Sequence, residues 1–266
     1  MRAGLIAVAA ASIAGSVVSA GETPVASGQT LFGRTSGSVT YGPYVRFEAG
    51  RTSTDLSGAN WVPPGASDPR VFFDTTDDDN AFVGAAIGFD WMNGFRAEGA
   101  ILSAGELDAS GPWSYTVPAV PGPHADITAA SVRTTALMGS VYYAPLEQRG
   151  VNSRIQPYLV AGLGFARNEM SDWTRTNVAA GTPVRTFEGD SKLDIAYSVG
   201  LGVEMQVTRP GQHPVLVDLS WRFYDFGTAE GSTTPLTGGQ RPREAFNVDR
   251  RDNVISLGVR VPLNRY

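Results

Sequence analysis

The sequence predicts an all-β fold: an eight-stranded antiparallel transmembrane β-barrel with short periplasmic turns and long extracellular loops. Three observations carry that expectation. Eight segments of about ten residues alternate apolar and polar side chains, the pattern of strands that face two different environments. The connections between them alternate long and short. The chain also opens with an export-type leader yet has no cysteine in its 266 residues, so an exported fold must be held by burial or a closed hydrogen-bond ladder, without disulfides.

Met1–Ala20 carries a lone cation at Arg2, an apolar run from Leu5 to Val18, and the small residues Ser19 and Ala20 before Gly21. This is the layout of a secretory signal peptide. Residues 21–41 read as a flexible Gly/Ser/Thr-rich lead, and 42–266 as the barrel, with no second domain. Later segments fall short of the run of about 18 apolar residues that a spanning helix needs, so membrane insertion must be by strands. The net charge of −5 argues against nucleic acid as a partner, because phosphate binding needs a basic face.

The strands follow in order. In the first, Val45, Phe47 and Ala49 oppose Arg46 and Glu48. In the second, Val83, Ala85, Ile87 and Phe89 oppose Gly84, Ala86, Gly88 and Asp90, and Asn93-Gly94 then supplies a tight reversal. The third sets Phe95, Ala97, Gly99 and Ile101 against Arg96, Glu98, Ala100 and Leu102. The fourth, near 131–143, alternates less cleanly: Leu137, Gly139, Val141 and Tyr143 face away from Met138, Ser140 and Tyr142. The fifth sets Leu159, Ala161, Leu163 and Phe165 against Tyr158, Val160, Gly162 and Gly164. In the sixth, Leu193 to Met205 hold one register opposite Ser198, Gly200, Gly202, Glu204 and Gln206. The seventh opposes Val215, Val217, Leu219, Trp221 and Phe223 to Asp218, Ser220, Arg222 and Tyr224, and the eighth Ile255, Leu257, Val259 and Val261 to Ser256, Gly258 and Arg260. Long connections are expected at 51–80, 103–130, 167–191 and 227–252, and short ones around 93–94, 144–154 and 208–213. Prolines 43, 157 and 214 begin strands and prolines 145 and 262 end them, where a missing N–H does least harm.

Alternation alone does not separate a soluble barrel from a membrane one. The makeup of the polar face does: it is Gly, Ala and Ser with a few charges, suited to a narrow interior and unlike a water-facing surface rich in Lys and Glu. Tyr44, Trp91, Phe95, Tyr142, Tyr143, Phe223, Tyr224 and Phe226, near strand ends, are candidates for the aromatic girdles at the two membrane interfaces.

The runs Gln156-Pro157-Tyr158-Leu159-Val160-Ala161-Gly162-Leu163-Gly164, Ala196-Tyr197-Ser198-Val199-Gly200-Leu201-Gly202-Val203-Glu204 and Leu219-Ser220-Trp221-Arg222-Phe223-Tyr224-Asp225-Phe226-Gly227 are similar to those of the eight-stranded barrels related to outer membrane protein A, and more closely to the opacity-type surface proteins. Their succession with this loop alternation covers most of the chain after the leader. One departure is the end, Arg260-Val261-Pro262-Leu263-Asn264-Arg265-Tyr266, where the family closes its last strand on an aromatic; Tyr266 would have to serve. The peptidoglycan-binding domain that follows the barrel of outer membrane protein A is absent from this sequence, so tethering to the cell wall is not carried over. The resemblance implies residence in the bacterial outer membrane, with its lipid and lipopolysaccharide as surroundings.

The inward charges are Arg46, Glu48, Asp90, Arg96, Glu98, Glu204, Asp218, Arg222 and Arg260. An eight-stranded barrel is only wide enough for side chains to fill it, so these groups are expected to pair as a plug. No cofactor, metal or catalytic group is expected. His124 and His213 lie in connections, and Ser198 sits within a strand where no nucleophile turn forms. Asp74-Thr75-Thr76-Asp77-Asp78-Asp79-Asn80 lacks the glycine and final Glu of a Ca²⁺ loop and reads as a solvated acidic stretch. Trp61, Trp113 and Trp173, in three outer loops, would either form a contact surface or pack the loops together. The expected role is thus a non-enzymatic surface barrel that helps to maintain the outer membrane and whose extracellular loops are available for adhesion or ligand contact. The alternative is a narrow channel for a small or hydrophobic solute.

Overall fold

A computed structural model describes residues 42–75, 78–119, 126–151, 155–179, 181–208 and 213–263. The leader, the lead segment, His124 and Tyr266 lie outside the described residues. Twelve strands form one antiparallel sheet: β1 (Pro43–Val62), β2 (Arg70–Phe73), β3 (Asp78–Asp90), β4 (Phe95–Val117), β5 (Asp126–Tyr143), β6 (Gln156–Met170), β7 (Trp173–Asn177), β8 (Thr182–Phe187), β9 (Asp190–Gln206), β10 (Leu216–Glu230), β11 (Pro235–Thr237) and β12 (Glu244–Pro262). Eight of them close a ring in the order β1, β3, β4, β5, β6, β9, β10, β12 and back to β1. Closure leaves the barrel wall without an edge, which is the condition for carrying β-structure through hydrocarbon.

The period-two pattern decides which way each side chain points. Along β1 from Tyr44 to Leu56 the inward positions are the even ones, so Arg46 and Glu48 enter the lumen while Phe47 faces out. The weakly patterned fourth segment follows the same rule in β5: Met138, Ser140 and Tyr142 are inside, and Leu137 and Val141 outside. The outer wall is an apolar belt. Ile87 is 70% exposed, Leu193 68% and Leu163 65%, values a water-facing wall would not carry all round its circumference, and which lipid tails would cover.

Four of the eight girdle candidates do not belong to the outer wall. Tyr44, Tyr142, Tyr224 and Phe226 are buried in the lumen, because each holds an even, inward position on its strand. Proximity to a strand end had no bearing on face. Trp91 and Phe95 are exposed, joined by Phe89 and Trp221; Phe89 packs on Trp91 at 5.7 Å and Phe95 on Tyr143 at 5.1 Å.

The turn after β3 forms where Asn93-Gly94 predicts it. Gly94 holds φ of 88° and Met92 57°, a left-handed pair that a tight reversal requires and that glycine adopts without strain. Asp90 Oδ1 accepts from the Met92 N–H at 2.9 Å. The turn after β5 holds a short helix, Pro145–Gln148, with proline in its first turn, where its missing N–H costs nothing.

The long connections differ from loops in being largely strand. β1 runs on to Val62 and β4 to Val117, while β5 begins at Asp126 and β12 at Glu244. β2 bridges β1 and β4, and β7, β8 and β11 extend the wall from β5. Bulges hid this continuation: register slips between Ser57 and Asn60, between Ala104 and Leu107, and between Asp225 and Thr228 shift the alternation by a residue and break the apparent period.

Candidate functional site in the lumen

Each of the nine sequence-identified charges is inside the barrel and buried. The strands bring them together in two tiers. At the periplasmic rim Arg260 donates to Glu204 from Nε at 3.0 Å and from Nη2 at 2.5 Å, and to Asp90 from Nη1 at 2.7 Å. Arg96 Nη1 donates to the same Glu204 at 3.0 Å. One step further in, Arg46 grips Asp218 with two parallel bonds of 2.8 and 2.9 Å and Glu48 with a third of 2.9 Å. Ser256 also donates to Glu48 at 3.0 Å.

Glu98 is held differently. Its nearest guanidinium, Arg46, is 3.8 Å away, and its oxygens accept from the hydroxyls of Tyr44, at 2.9 Å, and Tyr142. The Tyr142 hydroxyl in turn accepts from Arg222 Nη2 at 2.6 Å, while Arg222 Nη1 reaches the Tyr224 hydroxyl at 3.3 Å. Tyrosine faces supply the remaining support: Arg96 lies between Tyr142 and Tyr158, 4.4 and 4.7 Å from their centroids, and Arg260 lies 4.9 Å above Tyr44. Large side chains fit because small ones stand beside them. A methyl group on Gly88 would fall 2.4 Å from Tyr44, and one on Gly258 2.6 Å from the Asp218 carboxylate.

Sequence reasoning missed the tyrosines of this network: Tyr44, Tyr142 and Tyr224 were taken for girdle residues on their amphipathic character, and Tyr158, though placed on the polar face, was given no part in it. Arg250 and Asp252 were also missed, being assigned to a loop. Both are fully buried, joined by two bonds of 3.1 Å, and Arg250 Nη1 reaches Thr134 Oγ1 at 3.2 Å. Carrying the period of Arg260, Gly258, Ser256 and Val254 back toward the N terminus reaches both residues.

Above the charges the lumen turns apolar. Phe82, Leu102, Met138, Tyr224, Phe226 and Val254 pack with a set of alanines into one cluster. Beyond it Trp61, Val71, Phe73, Leu107, Val132, Trp173, Phe187 and Phe246 form a second. Trp61 meets Trp113 edge-on at 5.8 Å and Trp173 at 5.3 Å, and Trp173 stacks on Phe187 at 4.1 Å. Of the two readings of these tryptophans, the packed one holds: Trp61 and Trp173 are fully buried, so they offer no surface to a ligand. Of the remaining candidates, His213 Nε2 is 2.7 Å from the Pro262 carbonyl oxygen, and no group of three potential metal ligands occurs among the described residues.

A closed ring, an apolar belt outside and charged side chains sealed inside define an eight-stranded transmembrane β-barrel of the bacterial outer membrane. Solved structures similar to it in fold include Neisserial surface protein A, at 16% identity over 83% of this chain and 97% of that one, with a TM-score of 0.47. OprG from Pseudomonas aeruginosa is similar at 14% identity over 82% and 95%, with a TM-score of 0.48. The outer membrane protease OmpT from Escherichia coli is similar at 11% identity over 83% and 96%, with a TM-score of 0.46. No family model and no curated protein matches the chain.

Proposed function

We propose that this chain is a non-enzymatic surface barrel, closed to solutes through its lumen, whose specific contacts are made by the extracellular extension of its wall. The observation that carries the reading is the unbroken filling of the interior. Paired charges occupy the periplasmic half, and outward of them follow one apolar cluster, the buried Arg250–Asp252 pair and a second apolar cluster. Rings of charge along a water column would favour conduction; here Arg46 and Arg260 are bonded to neighbouring carboxylates and Arg222 to a phenol. A non-enzymatic role is supported by His213, whose ring Nε2 is engaged with a backbone carbonyl.

The lipid-facing belt makes outer-membrane lipid and lipopolysaccharide the barrel's constant partners. For a partner outside the cell, the extension offers Tyr115 and Val117 in the open, with Phe72 stacked on Tyr115 at 4.5 Å, on a scaffold stiffened by strand pairing. Planar-bilayer recording of the refolded protein tests the closed lumen, with a heat-modifiability gel confirming the barrel. A folded, silent protein is the expected result. Stable openings would sink the reading and make the chain a narrow channel.

A further inference from the structure

On the outer wall, a bulge in β4 builds a charged cleft. The slip between Ala104 and Leu107 leaves two successive residues, Gly105 and Glu106, on the outward side, while Leu107 turns in and is buried; an inserted residue re-aims a side chain in this way. Glu106 thereby reaches β5, where its carboxylate accepts from Arg133 Nη2 at 3.0 Å. On the other side of Arg133, directly across the β5–β6 pairing, stands Glu169, whose carboxylate lies 3.2 Å from Arg167 Nη2. Among these side chains opens a cleft of about 260 Å³ lined by Glu106, Ser131, Arg133, Glu169, Met170 and Ser171. Its serines are fixed: Ser171 Oγ accepts from the Ser131 N–H at 2.8 Å, and Ser131 Oγ donates to Asp108 at 3.1 Å.

The depth of the cleft follows from the strands that carry it. Leu137 on β5 and Phe165 on β6 are the last apolar residues of the lipid-facing belt before the charges, 63% and 55% exposed. Arg167 lies two residues beyond Phe165, and Glu169 and Arg133 lie four beyond Phe165 and Leu137. With a rise of about 3.4 Å per residue and a strand tilt of about 40°, the charges stand about 5–10 Å outside the hydrocarbon. That is the layer of lipid headgroups. The periplasmic ends of the same three strands present the outward row Phe95, Tyr143 and Leu159, which is without charge, so the cleft belongs to the outer leaflet.

We propose that this cleft binds the phosphoethanolamine group of an outer-leaflet lipid, with the phosphate on Arg133 and the ammonium on Glu106 and Glu169. The lining selects the chemistry. Two carboxylates against one guanidinium repel a phosphate that brings no cation, and Arg133, standing between the acids, repels a lone cation. A phosphate and an ammonium joined by an ethylene unit give each charge of the cleft its counterpart. The guanidinium has donors to spare, since its bond to Glu106 is the hydrogen bond it makes among the described residues. That pair is more than half exposed on both sides, and exposed pairs contribute little, so a change of partner costs little. The inference rests on the membrane-spanning wall and holds whether or not the lumen is closed.

Native mass spectrometry of the refolded barrel, released from nanodiscs of phosphatidylethanolamine, phosphatidylcholine and phosphatidylglycerol in equal parts, reads which lipid stays bound. Phosphatidylcholine keeps the phosphate but its quaternary nitrogen donates no hydrogen bond, and phosphatidylglycerol keeps the phosphate without a cation. The ethanolamine lipid is expected to be retained at least about fivefold over either. Glu169→Gln should bring that ratio close to one with the folded band on unheated gels unchanged. Asp225→Asn, which removes an outward carboxylate bonded to Arg251 on the other side of the barrel, should leave the ratio as it is. Equal retention of the three lipids, a preference for phosphatidylglycerol, a preference that survives Glu169→Gln, or one lost equally in Asp225→Asn would overturn the headgroup site and leave the barrel reading standing. A chain that forms no heat-modifiable barrel in lipid would sink the membrane-spanning wall and the cleft with it.

Discussion

Removing Arg46 is the sharpest probe of how dry the lower lumen is. The side chain is 1% exposed and provides both hydrogen bonds that the buried Asp218 carboxylate receives from other side chains, plus one to Glu48. In Arg46→Met the apolar stem is kept and the charge is lost, leaving Asp218 without its hydrogen-bonded guanidinium and Glu48 with Ser256 as its remaining hydrogen-bond donor and Arg222 as its remaining nearby charge. Breaking a buried ion pair from one side costs about 3–5 kcal/mol, because the stranded charge keeps its desolvation penalty. That is a large share of the about 5–15 kcal/mol that hold a typical domain together. With a urea slope of about 1–3 kcal/mol per molar, the midpoint should fall by about 1 M or more. The assay is equilibrium unfolding in lipid vesicles followed by the folded-band fraction on unheated gels. The comparison variant is Arg133→Ala on the outer wall, whose bond to Glu106 has the similar length of 3.0 Å but whose partners are 56% and 54% exposed. That loss should cost no more than about 1 kcal/mol. Arg46→Met/Asp218→Leu should recover most of the single loss, since replacing both members of a buried pair is often neutral. An Arg46→Met variant no weaker than Arg133→Ala would refute the reasoning, for it would mean that water screens Arg46 as it screens the outer wall.

Two further outcomes follow from packing. Trp61→Ala removes a fully buried ring from between Trp113 and Trp173; it should destabilise the barrel by about 3–5 kcal/mol and redden the tryptophan emission as the core of the extension admits water. Gly88→Ala sets a methyl group 2.4 Å from the Tyr44 ring and should cost about 1–3 kcal/mol, read as a lowered heat-modification temperature, whereas Gly99→Ala, whose added methyl meets nothing within 4 Å, should leave that temperature unchanged.

The membrane-spanning part of the fold was legible because one rule governs it. A narrow barrel in lipid allows two environments, and a strand alternates between them with period two, so Arg46, Glu48, Arg96 and Glu98 declared their side as soon as Phe47 and Ala97 declared theirs. The rule failed in two places for physical reasons. Tyrosine suits both a membrane interface and a polar lumen, so Tyr44 and Tyr142 were misassigned when character was weighed above parity. The extension was read as loop because its outward residues face water, which removes the apolar stripe that marks a strand in lipid, and because bulges such as the one at Gly58, with φ of 65°, reset the phase. Partner choice within the network was not legible at all: Arg46 meets Asp218 across 172 positions of sequence, a contact that depends on ring closure.

Ring closure also bears on why most of the buried charges gather at the periplasmic end, below the large apolar clusters. The pairing of β12 with β1 closes the ring, and the Arg46–Asp218 and Arg260–Asp90 contacts, separated by 172 and 170 positions, reach across that seam. Mispairing by one residue would turn these charges into lipid, where they cost several kcal/mol each. The lower tiers therefore act on register, penalising every closure but one. They make a poor seal, since polar groups that bind one another also bind water. The seal falls to Phe82, Met138, Phe226 and the tryptophan cluster above them, which contribute no register penalty but exclude water by volume. Division of labour along the axis gives each end the chemistry its task needs.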